Sequence, residues 1–186
     1  MLYGAPIPRR RDAERNRTAI VEAASELLMT GPAAVLMPEI ARRAGVGQAT
    51  LYRHFRDRPA LVAAVVAHQL ERLEAFVAAN AGRPATFRHL LGEVLRTQVA
   101  MRPLVRFLGG LDSQTRRRYQ RRVVQTLAAP LRQAQAAGLV RSDLGADDLA
   151  LLFAMLAGAV EANADAPDAA ERSIALLLDG VFTPAA

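Results

Sequence analysis

Ile40-Ala41-Arg42-Arg43-Ala44-Gly45-Val46-Gly47-Gln48-Ala49-Thr50-Leu51-Tyr52 is the most informative stretch of the chain. Small Ala41 lets two helices approach closely, Gly45 supplies the positive φ of a tight turn, and Val46 and Leu51 fill the angle between the helices. The pattern is that of a helix-turn-helix. It predicts a second helix with Leu51 and Phe55 turned inward one turn apart and Ala49, Thr50 and Arg53 on the opposite side. Gln48, Tyr52 and His54 flank that outward face.

Working outward, apolar residues recur at three-and-four spacing almost everywhere, without sustained polar/apolar alternation, so the chain reads as all-α. Gly31-Pro32, Gly45, Pro59, Gly82 with Pro84, Pro103, Gly109-Gly110, Gly138, Gly145 and Pro167 divide it into about nine helices. The first three are short: near 12–29 with Ile20, Ala23, Ala24, Leu27 and Leu28 on one face, near 37–44 with Ile40, Ala41 and Ala44, and near 48–54. Three such helices can share one small core and form an N-terminal three-helix unit that contains the helix-turn-helix. Asp57 caps a longer helix whose first turn admits Pro59 and which runs to about Asn80 through Leu61, Val65, Leu73 and Val77. A C-terminal helical bundle follows, with helices near 86–101, 103–109, 113–137, 146–164 and 168–182; Pro130 is expected to kink the 113–137 helix.

The 186 residues are 52% hydrophobic and 23% charged, enough for one compact domain or two small ones. The sequence contains no Lys, so all 24 basic residues are Arg; against 18 acidic residues they give +6. Arg in place of Lys accords with an Ala-, Gly- and Pro-rich codon bias, but the positive excess points to an anionic partner, nucleic acid first. With no Cys, disulfide-stapled folds, thiolate nucleophiles and Cys-ligated zinc are excluded. The apolar run Leu149 to Val160, bounded by Asp148 and Glu161, falls short of the ~20 residues of a membrane span. The Arg-rich start is followed by charge rather than an apolar secretory core, so a soluble cytoplasmic protein is the expectation.

The string Gly-Val-Gly-Gln-Ala-Thr-Leu-Tyr-Arg-His-Phe at 45–55, followed by Asp57-Arg58-Pro59-Ala60-Leu61, resembles the TetR family of transcriptional regulators. The resemblance implies a DNA-binding domain over 13–73, with its motif at 36–55, and a ligand-binding and dimerisation domain over 74–186. It implies that Gln48, Ala49, Thr50 and Tyr52 meet the major groove beside Arg53 and that His54 and Arg58 meet phosphates. The segment from Arg9, Arg10 and Arg11 to Arg17 would lie along a neighbouring groove. The residue chemistry agrees: Gln pairs bidentately with adenine, Ala touches a thymine methyl, and an Arg at a helix N-terminus reaches a phosphate. Two residues depart from the family pattern. Leu36 stands where a hydroxyl residue usually caps the second helix, and Gly47 where Ser usually caps the recognition helix. Pro38 also removes a long side chain from a position that often touches a base.

The resemblance further implies a homodimer built from the last two helices, with Phe153, Leu156, Ala157, Val160, Ile174, Leu177, Leu178 and Val181 supplying apolar faces. It implies a pocket for a small-molecule effector, for which Phe76, Phe87, Met101, Phe107, Tyr119, Phe153 and Met155 are the larger residues available. The expected partners are a palindromic double-stranded operator, an effector and a second copy, with no membrane. No catalytic constellation, cofactor motif or metal-ligand spacing is present; His68 and His89 are too few for a metal cluster. A competing reading is a helical carrier or enzyme with a vestigial reading head. Arg116, Arg117, Arg118, Arg121 and Arg122 stand outside both readings. Four of them oppose the Tyr119, Val123, Leu127 and Leu131 stripe, while Arg116 falls on the apolar side of the wheel. The acidic Asp143 to Asp148 segment, or an anionic effector, is the expected counterweight.

Overall fold

The structure is a computed structural model that describes residues 7–30, 36–107, 113–163, 166 and 168–183, with the side chains of 7–10, 28–30, 103–107 and 113 outside that description. Gly31-Pro32, Gly109-Gly110 and Pro167, and the side chains of Leu28, Arg9, Arg10 and Phe107, therefore lie outside the described residues. Eight α-helices are described: α1 (Ile7–Thr30), α2 (Met37–Arg43), α3 (Gln48–His54), α4 (Arg58–Ala79), α5 (Phe87–Phe107), α6 (Ser113–Ala136), α7 (Ala146–Ala162) and α8 (Ala169–Val181). A 3-10 turn, Pro84–Thr86, leads into α5. Among the described residues the one β pairing is a single antiparallel bridge between Val140 and Phe182.

Two expectations are corrected. The segments foreseen near 86–101 and 103–109 are one helix, α5, which continues through Pro103 as far as Phe107. A mid-helix Pro forfeits one backbone bond and crowds the preceding turn, about 3 kcal/mol. Leu95 and Met101, eight and two residues before it, are buried, and their packing offsets that cost. The first helix starts at Ile7 rather than near 12, with Pro8 in its first turn, where a missing N–H leaves nothing unpaired. The α6 helix likewise runs through Pro130.

The chain divides into two compact units: residues up to His68 together with the end of α5 from Pro103, and Gln69–Arg102 with α6, α7 and α8. The division falls inside α4, which contributes to both. In the first unit α1, α2 and α3 pack pairwise around Ile20, Ala24, Ile40, Ala41, Leu51 and Phe55, all buried. In the second, Phe87, Leu91 and Leu95 of α5 meet Val123, Leu127 and Leu131 of α6, Leu149, Phe153 and Leu156 of α7, and Ile174, Leu178 and Val181 of α8. Burying each such side chain contributes about 1.5–3 kcal/mol.

The connection from α6 to α7 shows how this unit is closed. Gly138 has φ 71°, a conformation open to Gly at little cost. It lets Leu139 N–H reach back to the Ala134 carbonyl at 3.0 Å and Gly138 N–H to that of Gln135 at 2.9 Å, which satisfies the end of α6. The loop is tied to the end of α8, where Thr183 N–H donates to Leu139 O at 3.1 Å and Arg141 N–H to Val181 O at 3.3 Å. Arg141 grips Asp143 through Nε at 2.7 Å and Nη2 at 2.6 Å. That hydrogen bond holds the Asp143 carboxyl below the usual carboxylate range.

Candidate nucleic-acid interface

The reading head is built from the turn outward. The α2 helix ends in a Schellman arrangement: Val46 N–H donates to Ala41 O at 3.0 Å and Gly45 N–H to Arg42 O at 3.2 Å, with Gly45 at φ 66°. A Cβ at Gly45 would meet nothing within 4 Å, so the positive φ rather than space selects Gly there. Gly47 then begins α3 in extended geometry with no side-chain cap, its carbonyl accepting from Thr50 at 2.9 Å and Leu51 at 3.1 Å. Leu36 precedes α2 in the same way, uncapped and 56% exposed, with Pro38 in the first turn. Arg43 on α2 donates from Nε at 3.2 Å and Nη2 at 2.9 Å to Glu26 Oε2 on α1, fixing the two helices to each other.

With Leu51 and Phe55 buried, the other side of α3 faces solvent. Gln48, Ala49, Tyr52 and Arg53 are exposed, while Thr50 and His54 are half-buried. Arg53 Nη2 donates to Thr50 Oγ1 at 2.8 Å, so these two side chains form one unit across a helical turn. His54 lies against the Phe55 ring, centroids 6.5 Å apart. Arg58, half-buried, opens α4, whose first turn is capped when Ala60 N–H donates to Asp57 Oδ1 at 2.8 Å. Within the Arg9 to Arg17 segment, Arg11 is exposed and Arg15 pairs with Asp12. Arg17 stacks on Phe55 at 5.3 Å from the ring centroid and is therefore partly committed to the domain itself. Arg56, which the sequence reading did not single out, is exposed just beyond the end of α3, with Asp57 Oδ2 3.3 Å from its Nε.

In the second unit the residues assigned to a pocket and to a dimer face are distributed differently. Phe87 and Phe153 belong to the close-packed core, Phe76 and Tyr119 pack half-buried against it, and Met101 is buried. Burial pushes the Tyr119 phenol up. Met155 is 52% exposed. Of the residues named for the dimer, Phe153, Leu156, Ile174, Leu178 and Val181 fill the subunit interior, whereas Ala157, Val160 and Leu177 are half-buried. Five buried side chains have little surface left to offer a second copy. On α7 and α8 the large apolar residues that are exposed are Leu151, Met155 and Leu176, with Ala154 and Gly158 also exposed on α7.

The arginine cluster also differs from the wheel. Arg116, in the first turn of α6 and two turns before buried Val123 on the same side, is exposed. Arg122 Nε is 2.8 Å from Glu74 Oε1 on α4. The segment expected to balance the cluster is engaged locally, Asp143 with Arg141 and Asp148 Oδ2 with the Gly145 N–H at 2.7 Å.

Comparison with known proteins places this geometry. The family described as "Bacterial regulatory proteins, tetR family" matches residues 20–65, and "Transcriptional regulator SbtR-like, C-terminal domain" matches residues 83–182. The structure is similar to a TetR transcription regulatory protein from Mycobacterium vanbaalenii, at TM-score 0.68 and 32% identity, covering 95% of this chain and 100% of that one. It is also similar to a TetR transcriptional regulator from Streptomyces coelicolor, at TM-score 0.66 and 29% identity, covering 91% and 99%. An HTH-type transcriptional regulator of Staphylococcus aureus strain USA300 is 40% identical over 63 residues, which make up 33% of this chain and 34% of that protein. The chain thus spans about a third of the length of that curated relative. The chain belongs to the tetR family of bacterial regulatory proteins. The unit formed by α2, the Gly45 turn and α3 is its DNA-binding helix-turn-helix.

Proposed function

We propose that the chain works as a homodimeric, sequence-specific repressor that a small-molecule effector releases from its operator. The observation that carries this reading is the outward face of α3. Gln48, Ala49, Tyr52 and Arg53 stand exposed on a helix whose other side is locked by Leu51 and Phe55. Gln and Arg supply bidentate base contacts and Ala an apolar one, with Thr50 and Tyr52 in the major groove beside them; His54 and Arg58 set register on phosphates, and the Arg9, Arg10 and Arg11 segment lies along a neighbouring groove. Leu36, in place of a hydroxyl, leaves the start of α2 without a side-chain donor to phosphate.

One such helix binds weakly, and two-fold pairing would place two reading heads on half-sites ~34–36 Å apart. The apolar line Leu151, Ala154, Met155 and Gly158, with Leu176, is the surface available for that pairing, and Ala154 and Gly158 permit close helix approach. Since α4 contributes to both units, it is the element through which effector occupancy would bias the reading heads. Effector and DNA would then weaken each other reciprocally, typically by about 1–3 kcal/mol.

Affinity for a duplex recovered from random sequence by the purified protein, followed across salt, tests this reading. With about eight phosphate contacts per dimer, log affinity should fall against log salt with a slope near −7. A flat response would overturn it.

A further inference from the structure

We infer that the outer face of α6 is a second, sequence-independent contact for the phosphate backbone of duplex DNA, carried by the C-terminal unit and separate from the reading head. Arg116, Arg117, Arg118 and Arg121 are all exposed, and none has a carboxylate within ion-pair distance among the described residues. Elsewhere in the same unit, five arginines are paired: Arg88 with Asp179, Arg96 with Glu93 and Glu171, Arg102 with Glu161, Arg122 with Glu74 and Arg141 with Asp143. Arg72, Arg83, Arg132 and Arg172 of this unit also lack a carboxylate at that distance among the described residues, but they stand singly along the chain, whereas Arg116, Arg117, Arg118 and Arg121 lie within six residues.

The placement opposes local stability. The first turn of α6 contains no acidic residue, and cations near a helix N-terminus meet the positive end of its dipole and one another. Arg117, Arg118 and Arg121 lie away from the buried stripe of Val123, Leu127 and Leu131, and Arg116, on the stripe's side of the helix, is exposed in the turns before it. Residues 102–122 hold seven Arg and one acid, a net +6 equal to that of the whole chain. A group of guanidinium groups with no counterion among the described residues suits a polyanion with closely spaced charges. Duplex DNA is the polyanion this family already engages. Its contribution would hold the protein on non-operator DNA, where affinity comes from counterion release rather than base contacts.

The inference rests on the chain acting on DNA and not on repression or effector release. The test is fluorescence anisotropy with a scrambled duplex across about 50 to 200 mM salt, where counterion release dominates. Full-length wild type is compared with Arg116→Gln/Arg117→Gln/Arg118→Gln/Arg121→Gln, with the Arg→Lys substitutions at the same positions, and with Arg117→Gln/Arg121→Gln. The expected result is a log–log slope shallower by about 2 to 4 in the four-Gln variant, from ~0.9 per lost phosphate contact. The Lys variant should restore the wild-type slope and the two-Gln variant should fall between. The four-Gln variant should melt no lower than wild type and should still recover the same sequence from random duplexes. Equal slopes for wild type and the Gln variants would overturn the inference. So would loss of binding to phosphatidylglycerol vesicles with binding to scrambled duplex intact, since that would assign the face to a membrane. If selection recovers no preferred sequence, the reading as an operator-specific repressor fails while the scrambled-duplex comparison still stands or falls by itself.

Discussion

Arg53 and Leu36 show opposite relations between a residue and its surroundings. Arg53 is exposed, yet its Nη2 is already held 2.8 Å from Thr50 Oγ1, so part of the entropy of placing a long side chain is lost before DNA arrives. If it reads a base, Arg53→Ala should cost about 1–3 kcal/mol of preference at one position of each half-site while leaving binding to scrambled duplex nearly unchanged. An equal loss on both duplexes would reassign it to phosphate. Leu36 is exposed at a helix start with no cap hydrogen bond. Leu36→Thr should therefore raise stability by about 1 kcal/mol, seen as a higher urea midpoint with unchanged slope. An unchanged midpoint would mean that the Leu36 side chain compensates for the missing cap.

The short elements were more legible than the long ones. Gly45, Ala41, Leu51 and Phe55 lie within fifteen residues, and each has one steric job, so their identities determined the turn and the inward face of α3. Pro103 was misread because a local rule, the lost backbone bond, gave way to buried packing on α5 that the rule does not contain. The wheel for α6 located its buried stripe but not that Arg116, on the stripe's side, is exposed in the first turn, since a wheel has no helix ends. The loop after α6 was punctuated by Gly138 and Gly145 as expected, yet the engagement of Asp143 by Arg141 depends on a chain bend that periodicity does not encode. Asp143 should titrate below an ordinary aspartate in a carboxyl NMR series, and Arg141→Ala should raise its midpoint. Its folded-state pKa is lowered, so the pair's contribution is present above the unfolded value and is lost as pH falls through the folded one. A midpoint unmoved by Arg141→Ala would contradict the contact.

At the scale of the whole molecule, an apolar helix face is ambiguous from sequence: it belongs to the subunit core or to an interface, and both read alike. Phe87, Phe153, Leu156, Ile174 and Leu178 are core in the structure, which leaves Leu151, Met155 and Leu176 as the large apolar side chains exposed on α7 and α8. If these carry the pairing, Met155→Glu should leave the helix content unchanged and shift sedimentation toward monomer, whereas Leu156→Ala, a core truncation, should cost about 2–5 kcal/mol of stability. A dimer unaffected by Met155→Glu would place the interface elsewhere. No helix among the described residues is long and apolar enough to cross a membrane, and the positive charge is densest in α6 and the segment before it, outside the reading head. The charge alone would have pointed to the wrong element for sequence reading; the turn at Gly45 pointed to α3.

If two copies of α3 read DNA as a two-fold pair, selection from a random duplex pool by the purified 186-residue protein should enrich a palindrome with half-site centres about one helical turn apart. That enrichment should be lost in a Tyr52→Ala/Arg53→Ala variant that remains folded. Recovery of no sequence above the input pool, or of the same sequence by that variant, would contradict this two-fold reading.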